Sequence, residues 1–347
     1  MSARVSGGTF SAYYERAEQK RDALTPEDRI IWVRVGEHYI RMHFQNEEQA
    51  DRAGVSLTGM MEEAAEGTKA SADFIYWEDV FSHYLPEGTA EQKGVWSASD
   101  GTGYMRLVAG YGLMGADYIR RRYYLCLDHT EQDLILHNHA MVTAFFRWAM
   151  QNDMIFLHSA AVGAAGNGIL IGGRGGRGKS TLAVSCLFAW MDFVSDDYVL
   201  LSRTGPLRAM PLYRTVGLNQ DMAKILQPDL PVLYTDPLRN GKMILDASAY
   251  PFTESLEIRA ILLPEQASVR AQTASKGETA PRFELIHPGQ ALTQIVYSSL
   301  SQLDVLRETD IVKEMTGRLL GLPVYKMYLS RDPARNAESL KEFLTGL

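Results

Sequence analysis

The chain has little cysteine, no long apolar run and no excess of positive charge, and each shortage excludes something. Its only cysteines are Cys126 and Cys186. Two cysteines cannot build a disulfide framework, and neither stands at metal-ligand spacing. No uninterrupted apolar stretch approaches the ~20 residues that span a bilayer. The opening Met1-Ser2-Ala3-Arg4-Val5-Ser6-Gly7-Gly8 leads into polar sequence without the apolar centre of a secretory signal, so a cytoplasmic location is expected. The formal net charge is −7, whereas a nucleic-acid binder usually carries a basic excess. The local cluster Arg120-Arg121-Arg122 reads as the solvated end of a strand. Neither nucleic acid nor membrane is expected as a partner, and no internal repeat is visible.

What is present is an ordinary globular composition, 46% hydrophobic and 22% charged, over 347 residues. That length favours two domains. Residues 1–135 read as a β-rich α+β domain. Residues 12–20 are polar and helix-permissive. Residues 30–35 and 39–44 are β-rich runs flanking Gly36-Glu37-His38, which predicts a hairpin. The stretch 45–70 is rich in Glu, Ala and Met and reads as helical or irregular. A strand is expected to begin at Phe74-Ile75-Tyr76-Trp77, and residues 104–110 and 117–127 read as paired strands separated by the glycine-containing 111–116. This domain carries no chemical motif. Its strand edges suit capture of an extended acceptor, the role expected of it. Residues 136–150 read as a connecting helix, and 151–347 as a nucleotide-binding domain in which 266–282 is the most loop-like stretch. His137 and His139 stand two apart without a neighbouring Cys, Asp or Glu cluster, so they read as surface or helix-entry histidines rather than metal ligands.

The strongest chemical signal is Gly173-Arg174-Gly175-Gly176-Arg177-Gly178-Lys179-Ser180, which satisfies G-x-x-x-x-G-K-[ST]. Glycines let successive backbone N–H groups turn inward on phosphate oxygens. Lys179 is placed to reach the β- and γ-phosphates, and the Ser180 hydroxyl to ligate Mg²⁺. Context agrees. The apolar Gly168-Ile169-Leu170-Ile171-Gly172 reads as a buried strand, and Thr181 to Trp190 as a helix whose N-terminus favours anions. A nucleotide site over 173–181 is expected, with ATP and Mg²⁺ as cofactors.

Asp196 follows Lys179 by 17 positions, room for one helix and the short strand Phe193-Val194 before Ser195-Asp196-Asp197. In a βαβ unit the next strand often lies beside the first, and its end would bring both carboxylates to the phosphates. One carboxylate then suits a metal and the other suits an acceptor hydroxyl. Ser-Asp-Asp clusters also fill turns, but Tyr198-Val199-Leu200-Leu201 is strand-like and speaks against a helix cap.

These residues resemble a known family. Leu157-His158-Ser159-Ala160-Ala161-Val162, the phosphate loop, and Phe193-Val194-Ser195-Asp196-Asp197 are similar to the bacterial HPr kinase/phosphorylase superfamily. Weaker similarity runs through Met210-Pro211-Leu212-Tyr213-Arg214-Thr215-Val216-Gly217-Leu218 and Leu322-Pro323-Val324-Tyr325-Lys326-Met327. The resemblance implies an α/β phosphate-loop kinase domain related to phosphoenolpyruvate carboxykinase, with a mixed sheet. It further implies that His158 and Asp196 are catalytic, and that Ser180 and Asp197 are metal-associated. Where HPr-specific members carry Glu-x-Arg-Gly-x-Gly, this chain has Glu257-Ile258-Arg259-Ala260-Ile261-Leu262, which replaces both glycines and reads as a core strand. Glu257 is the third metal candidate. The departure and the dissimilar N-terminal region point away from HPr as substrate, toward the divergent branch that includes peptide-tailoring kinases such as those acting on lasso peptides.

Transition-state charge calls for basic residues. Arg174, Arg177, Arg214 and the turn Arg239-Asn240-Gly241-Lys242 are available, and Arg214 is the expected phosphate or acceptor contact. The resulting expectation is transfer of the γ-phosphoryl of ATP to a hydroxyl, a serine or related alcohol on a peptide or small molecule. The rival readings are a nucleotide-dependent switch or scaffold, and an inactive nucleotide-binding relative. The sequence leaves a homo-oligomer open.

Overall fold

The structure, a computed structural model, describes residues 15–19, 22–23, 29–79, 95–99, 101–108, 112–127, 139–173, 175–227, 229–237, 241–266, 280–303 and 309–347. The chain is mixed α/β and divides into two compact units, Met1–Asn152 and Asp153–Leu347.

The first unit is built on a seven-stranded sheet in the order β1-β2-β3-β7-β6-β5-β4. The hairpin expected around Gly36 is present as β1 (Ile30–Val35) and β2 (His38–Phe44). Helix α1 (Glu47–Leu57) then crosses over to β3 (Ala72–Glu78), which runs parallel to β2. Its N-terminus is capped by Asn46, whose side chain accepts from the Gln49 N–H and satisfies a donor the helix leaves open. Strand β3 is buried on both faces because it lies between two parallel neighbours, β2 and β7 (Arg122–Leu127). Phe74 packs edge-on against both Tyr123 and Phe145, the latter from helix α2 (Val142–Gln151). Strands β4 (Val95–Ser99), β5 (Gly103–Val108) and β6 (Gly112–Asp117) complete an antiparallel meander.

One expectation here needs correction. Residues 111–116 read as a spacer because of their glycines, yet 112–117 is itself strand β6, paired to β5 and β7. The reason is close approach. A Cβ at Gly112 would collide with the Cys126 carbonyl of β7, so this glycine serves contact between backbones.

A charge is buried in this sheet. Asp73 of β3 sits in register with Arg41 on one side and Arg122 on the other. Its Oδ1 accepts from Arg41 Nε at 2.7 Å and lies 3.1 Å from His43 Nε2. Burial alone would raise the Asp73 carboxyl, but the His43 and Arg41 contacts outweigh it and hold the group at about 2. The folded-state value is therefore below the unfolded one. The stabilisation is complete above the ordinary 3.8 and is lost as pH falls toward 2. Urea titrations between pH 5 and pH 2 are expected to show wild-type stability falling relative to Asp73→Asn. A constant difference would remove Asp73 from the account.

The second unit has a nine-stranded mixed sheet and a three-stranded one. The main path runs β11-β9-β10-β17-β13-β12-β8. Its members are β8 (Met154–His158), β9 (Ala160–Ala164), β10 (Asn167–Ile171), β11 (Asp192–Ser195), β12 (Tyr198–Ser202), β13 (Arg208–Pro211) and β17 (Leu256–Gln266). β17 is long enough to change partners. Its first residues pair with β13, and its later ones with β19 (Val324–Leu329), which in turn pairs with β18 (Arg282–Ile286). The small sheet, β14 (Thr215–Leu218), β16 (Lys242–Asp246) and β15 (Val232–Asp236), is antiparallel. Helix α3 (Lys179–Phe188) covers β9 and β11 and packs against α7 (Pro333–Thr345). Helix α5 (Pro288–Leu303) lies on β8 and against α6 (Thr309–Leu319), while α4 (Gln220–Leu226) follows β14.

A second correction concerns topology. The acid-bearing strand β11 was expected beside β10, but β9 lies between them, antiparallel to both. The tight turn at Ala165-Gly166, where both residues take positive φ, folds β9 back onto β10 before any crossover helix begins. A hairpin closes locally and takes the edge that the crossover would otherwise fill.

Candidate active site

Strand β10 delivers the chain into the glycine-rich sequence 173–180, and α3 begins at Lys179. Arg174 lies outside the described residues. Gly173, Gly176 and Gly178 all have positive φ, at 112°, 76° and 95°. Gly178 is the helix N-cap, and any side chain there would also press within 2.9 Å of Leu329 Cδ1. Lys179 is buried, and its ammonium donates back across the loop to the Gly173 carbonyl at 2.8 Å. Burial lowers its pKa, with Asp197 opposing and Lys242 reinforcing that shift. Ser180 and Thr181 occupy the first turn of α3, where N–H groups point outward. Arg177 turns away from the loop centre to pair with Glu265 at the far end of β17.

The acid pair occupies an unusual place. Strands β11 and β12 stand five positions apart along the sheet, about 24 Å if it were flat. Yet only Asp196 and Asp197 connect them, a link that reaches about 11 Å. The sheet must therefore roll until its two ends meet, and the carboxylates sit at the seam. Beyond β12 lies β8, whose last residue, His158, is in register with Tyr198. This explains why a histidine nearly 40 positions upstream meets the acid pair.

The contacts are short and directional. His158 Nε2 lies 2.6 Å from Asp197 Oδ1, and His158 Nδ1 lies 2.8 Å from the Ser298 hydroxyl of α5. The backbone N–H of His158 donates to Ser299 Oγ at 2.9 Å. An ionised Asp197 accepts from Nε2–H, which leaves Nδ1 to accept from Ser298. Asp197 Oδ2 is 3.6 Å from Lys242 Nζ at the start of β16. Asp196 is only 4% exposed and accepts from the Gly217 N–H at 2.9 Å. Burial first, and then the charge of Asp197, push the Asp196 carboxyl up to about 7, with Lys242 and the Gly217 N–H opposing. Gly217 has a second use. A Cβ there would collide with Lys242 Cε, so its absence lets that side chain reach Asp197.

The site therefore gathers Lys179, Asp196, Asp197 and His158 of the expected residues, with 173–181 as the loop. Two expected residues fall elsewhere. Glu257 begins β17, level with the start of β10, whereas the loop leaves the other end of that strand. The separation is about 13 Å along the strands, and Glu257 faces Arg259 and Arg208 instead. It is no metal partner of Ser180. Arg214 pairs with Glu254 and lies 5.6 Å from the Phe252 ring centroid, so its charge is already engaged. Lys242, Gly217, Ser298 and Glu265 were not anticipated. Lys242 had been read only as part of a turn, and nothing in its spacing ties it to Asp197.

A Mg²⁺ ion takes one or two carboxylates and leaves its other positions to phosphate and water. The Ser180 hydroxyl and the Asp197 carboxylate supply that donor chemistry and fit it. Among the described residues there is no group of three or more His, Cys, Asp or Glu side chains able to hold a metal by themselves.

Comparison with known proteins gives one kind of match. No family model matches the chain, and no curated protein does. Among solved structures, the Hpr(Ser) kinase/phosphatase from Coxiella burnetii is similar at 16% identity and a TM-score of 0.29, over 55% of this chain and 88% of that one. No helix among the described residues is long and apolar enough to cross a membrane.

The raised Asp196 carboxyl has a thermodynamic signature. Its folded-state value lies above the unfolded 3.8, so the folded protein holds a proton that the unfolded chain releases. Stability then declines as pH rises from about 4 to about 7. Denaturant titrations across that range are expected to show this decline in the wild type relative to Asp196→Asn, which has no such proton to lose. Parallel curves would show that Asp196 ionises normally.

Proposed function

We propose that the second unit is an ATP- and Mg²⁺-dependent kinase that phosphorylates a hydroxyl, a serine or related alcohol on a peptide or small molecule. The observation that carries this reading is the convergence of a phosphate-loop lysine with two adjacent carboxylates, one paired with His158 and Lys242 and the other buried. Asp197 is paired with His158 and Lys242. Asp196, buried beside it, titrates near neutrality, where a general base works best.

In this scheme the loop amides and Lys179 hold the β- and γ-phosphates. Ser180 and Asp197 would hold the metal, and the chemistry such an ion supplies is neutralisation of charge on the phosphate oxygens. The acceptor oxygen bonds to the γ-phosphorus as its bond to the β,γ-bridging oxygen breaks. The hydroxyl proton passes to Asp196, and ADP leaves. His158 acts as a positioning residue, since Ser298 holds its Nδ1 while its Nε2 aims Asp197. Lys242 adds a second cation near the transferred group, the role first expected of Arg214. We assign acceptor recognition to the first unit, residues 1–135 with the helix that follows, and nucleotide chemistry to 151–347.

Lys179→Ala is expected to abolish ADP formation and to weaken ATP binding while leaving the thermal transition within a few degrees of wild type. Near-wild-type turnover in the folded variant would sink the phosphate-loop assignment. The two aspartates separate in a second experiment. Asp196→Asn is expected to lose transfer by roughly 10²–10⁴-fold while binding Mg²⁺–ATP normally. Asp197→Asn is expected to weaken Mg²⁺-dependent nucleotide binding as well. Binding isotherms beside ADP release decide it, and the opposite pattern would exchange the two roles.

A further inference from the structure

Beside the phosphate loop lies a cavity of about 350 Å³, within the usual range for a small-molecule site. Gly178 and Thr181 line it, and both also belong to the phosphate-loop turn, so the loop and the cavity are continuous. Apolar side chains reach it from three elements. Leu182 projects from α3, Met222 and Ile225 from α4, and Leu329 from the end of β19. Ile225 is 59% exposed, a large aliphatic side chain held in solvent at the rim.

Three polar side chains of the wall bond the protein's own backbone. Asn336 Oδ1 accepts from the Ser330 N–H at 2.8 Å, and its Nδ2 donates to the Ser330 carbonyl at 3.1 Å. The Ser185 hydroxyl donates to the Thr181 carbonyl at 2.7 Å, and the Ser330 hydroxyl to the Asp332 carbonyl at 3.0 Å. Gln266, at the end of β17, and Arg331 also line the cavity, and both are exposed. An amide offers a donor on one side and an acceptor on the other, and it turns to suit either arrangement.

We propose that this cavity is the base subsite of the nucleotide and that it grips a purine by its faces without reading its edge, so that ATP and GTP bind with similar affinity. The proposal rests on the phosphate-loop reading above and adds to it a specificity. A triphosphate seated in the loop leaves its nucleoside end beside Thr181, where the cavity begins. Aliphatic walls reward any flat ring of purine size. A site that discriminates strongly between isosteres needs buried polar groups that only one of them satisfies, and here the buried Asn336 and Ser185 bond the protein's own backbone while Gln266 and Arg331 stand exposed to water. A pyrimidine fills less of the space and should bind more weakly.

The test uses the full chain with Mg²⁺ and measures equilibrium binding of ATP, GTP, CTP and inorganic tripolyphosphate to wild type and to Ile225→Asp. That position is exposed, so the fold should survive the change, and a melting curve verifies it. Wild type should bind ATP and GTP within about tenfold of each other, and CTP more weakly, as expected for an apolar site. Ile225→Asp should weaken both purine nucleotides by about tenfold or more, the scale of losing one apolar contact and setting a carboxylate beside the base, while leaving tripolyphosphate unchanged. A preference of more than about a hundredfold for one purine would mean that the edge is read and would overturn the inference. Unchanged ATP binding in Ile225→Asp, with tripolyphosphate still bound, would place the base elsewhere and overturn it too. Failure of tripolyphosphate and of every nucleotide to bind the wild type would instead remove the phosphate-loop reading, and the subsite with it.

Discussion

Two residues join β11 to β12, and the second unit is arranged around that shortage of chain. A flat sheet cannot be bridged by Asp196 and Asp197 alone, so its ends are brought together. Rolling the sheet puts β8 next to the seam and carries His158 to Asp197. It also lets the small sheet lie against the seam, which supplies the Gly217 N–H to Asp196 and the Lys242 ammonium to Asp197. The electrostatics follow from the geometry. Two carboxylates forced to be neighbours in a buried place cannot both ionise cheaply, and partners of opposite charge decide which one does. Here His158 and Lys242 contact Asp197, and Lys242 with the Gly217 N–H only partly offsets the rise at Asp196.

Such a site is expensive in stability. Lys179 is a cation removed from water that donates to the Gly173 carbonyl, and Asp196 is a carboxyl with its own charge opposed by its neighbour. Neither arrangement helps the fold, since buried charges rarely repay their desolvation. Departures of this kind from the rules of a stable core mark places kept for chemistry. The buried Asp73 of the first unit is the useful contrast. There the carboxylate is matched by Arg41 and His43, its pKa falls, and the group holds strands together.

Much of this was legible in the chain because the signals are local. Gly173 to Ser180 announces the loop by backbone freedom and one lysine, and the apolar strand before it and the helix after it are where the composition puts them. Glycine was the misleading residue. At 112 it reads as a turn and is instead a place where two strands touch. The remainder was hidden because it depends on pairing. Nothing in 160–171 says that β9 will take the place beside β10, and nothing near Glu257 says at which end of its strand the loop will lie. Lys242 and Ser298 are ordinary polar residues until strand register and helix packing bring them to Asp197 and His158. Arg214 shows the converse, a conspicuous charge that Glu254 had already taken.

His158 hydrogen-bonds to residues 140 and 141 positions later in the chain. That separation spans most of the second unit, and between its ends lie the loop, the acid pair, Gly217 and Lys242. Contacts of such long range cannot form until the intervening chain has collapsed, because closing a large loop costs entropy before it returns any contact. The site is consequently among the last things to be completed as the protein folds. On a ribosome, Lys179 and both aspartates emerge well before α5 does, so the nascent chain holds all its acids and its loop without the helix that aims His158. Assembly of this cluster is thus tied to synthesis of the later part of the unit, and an interrupted chain would carry the motif without the helix that holds His158.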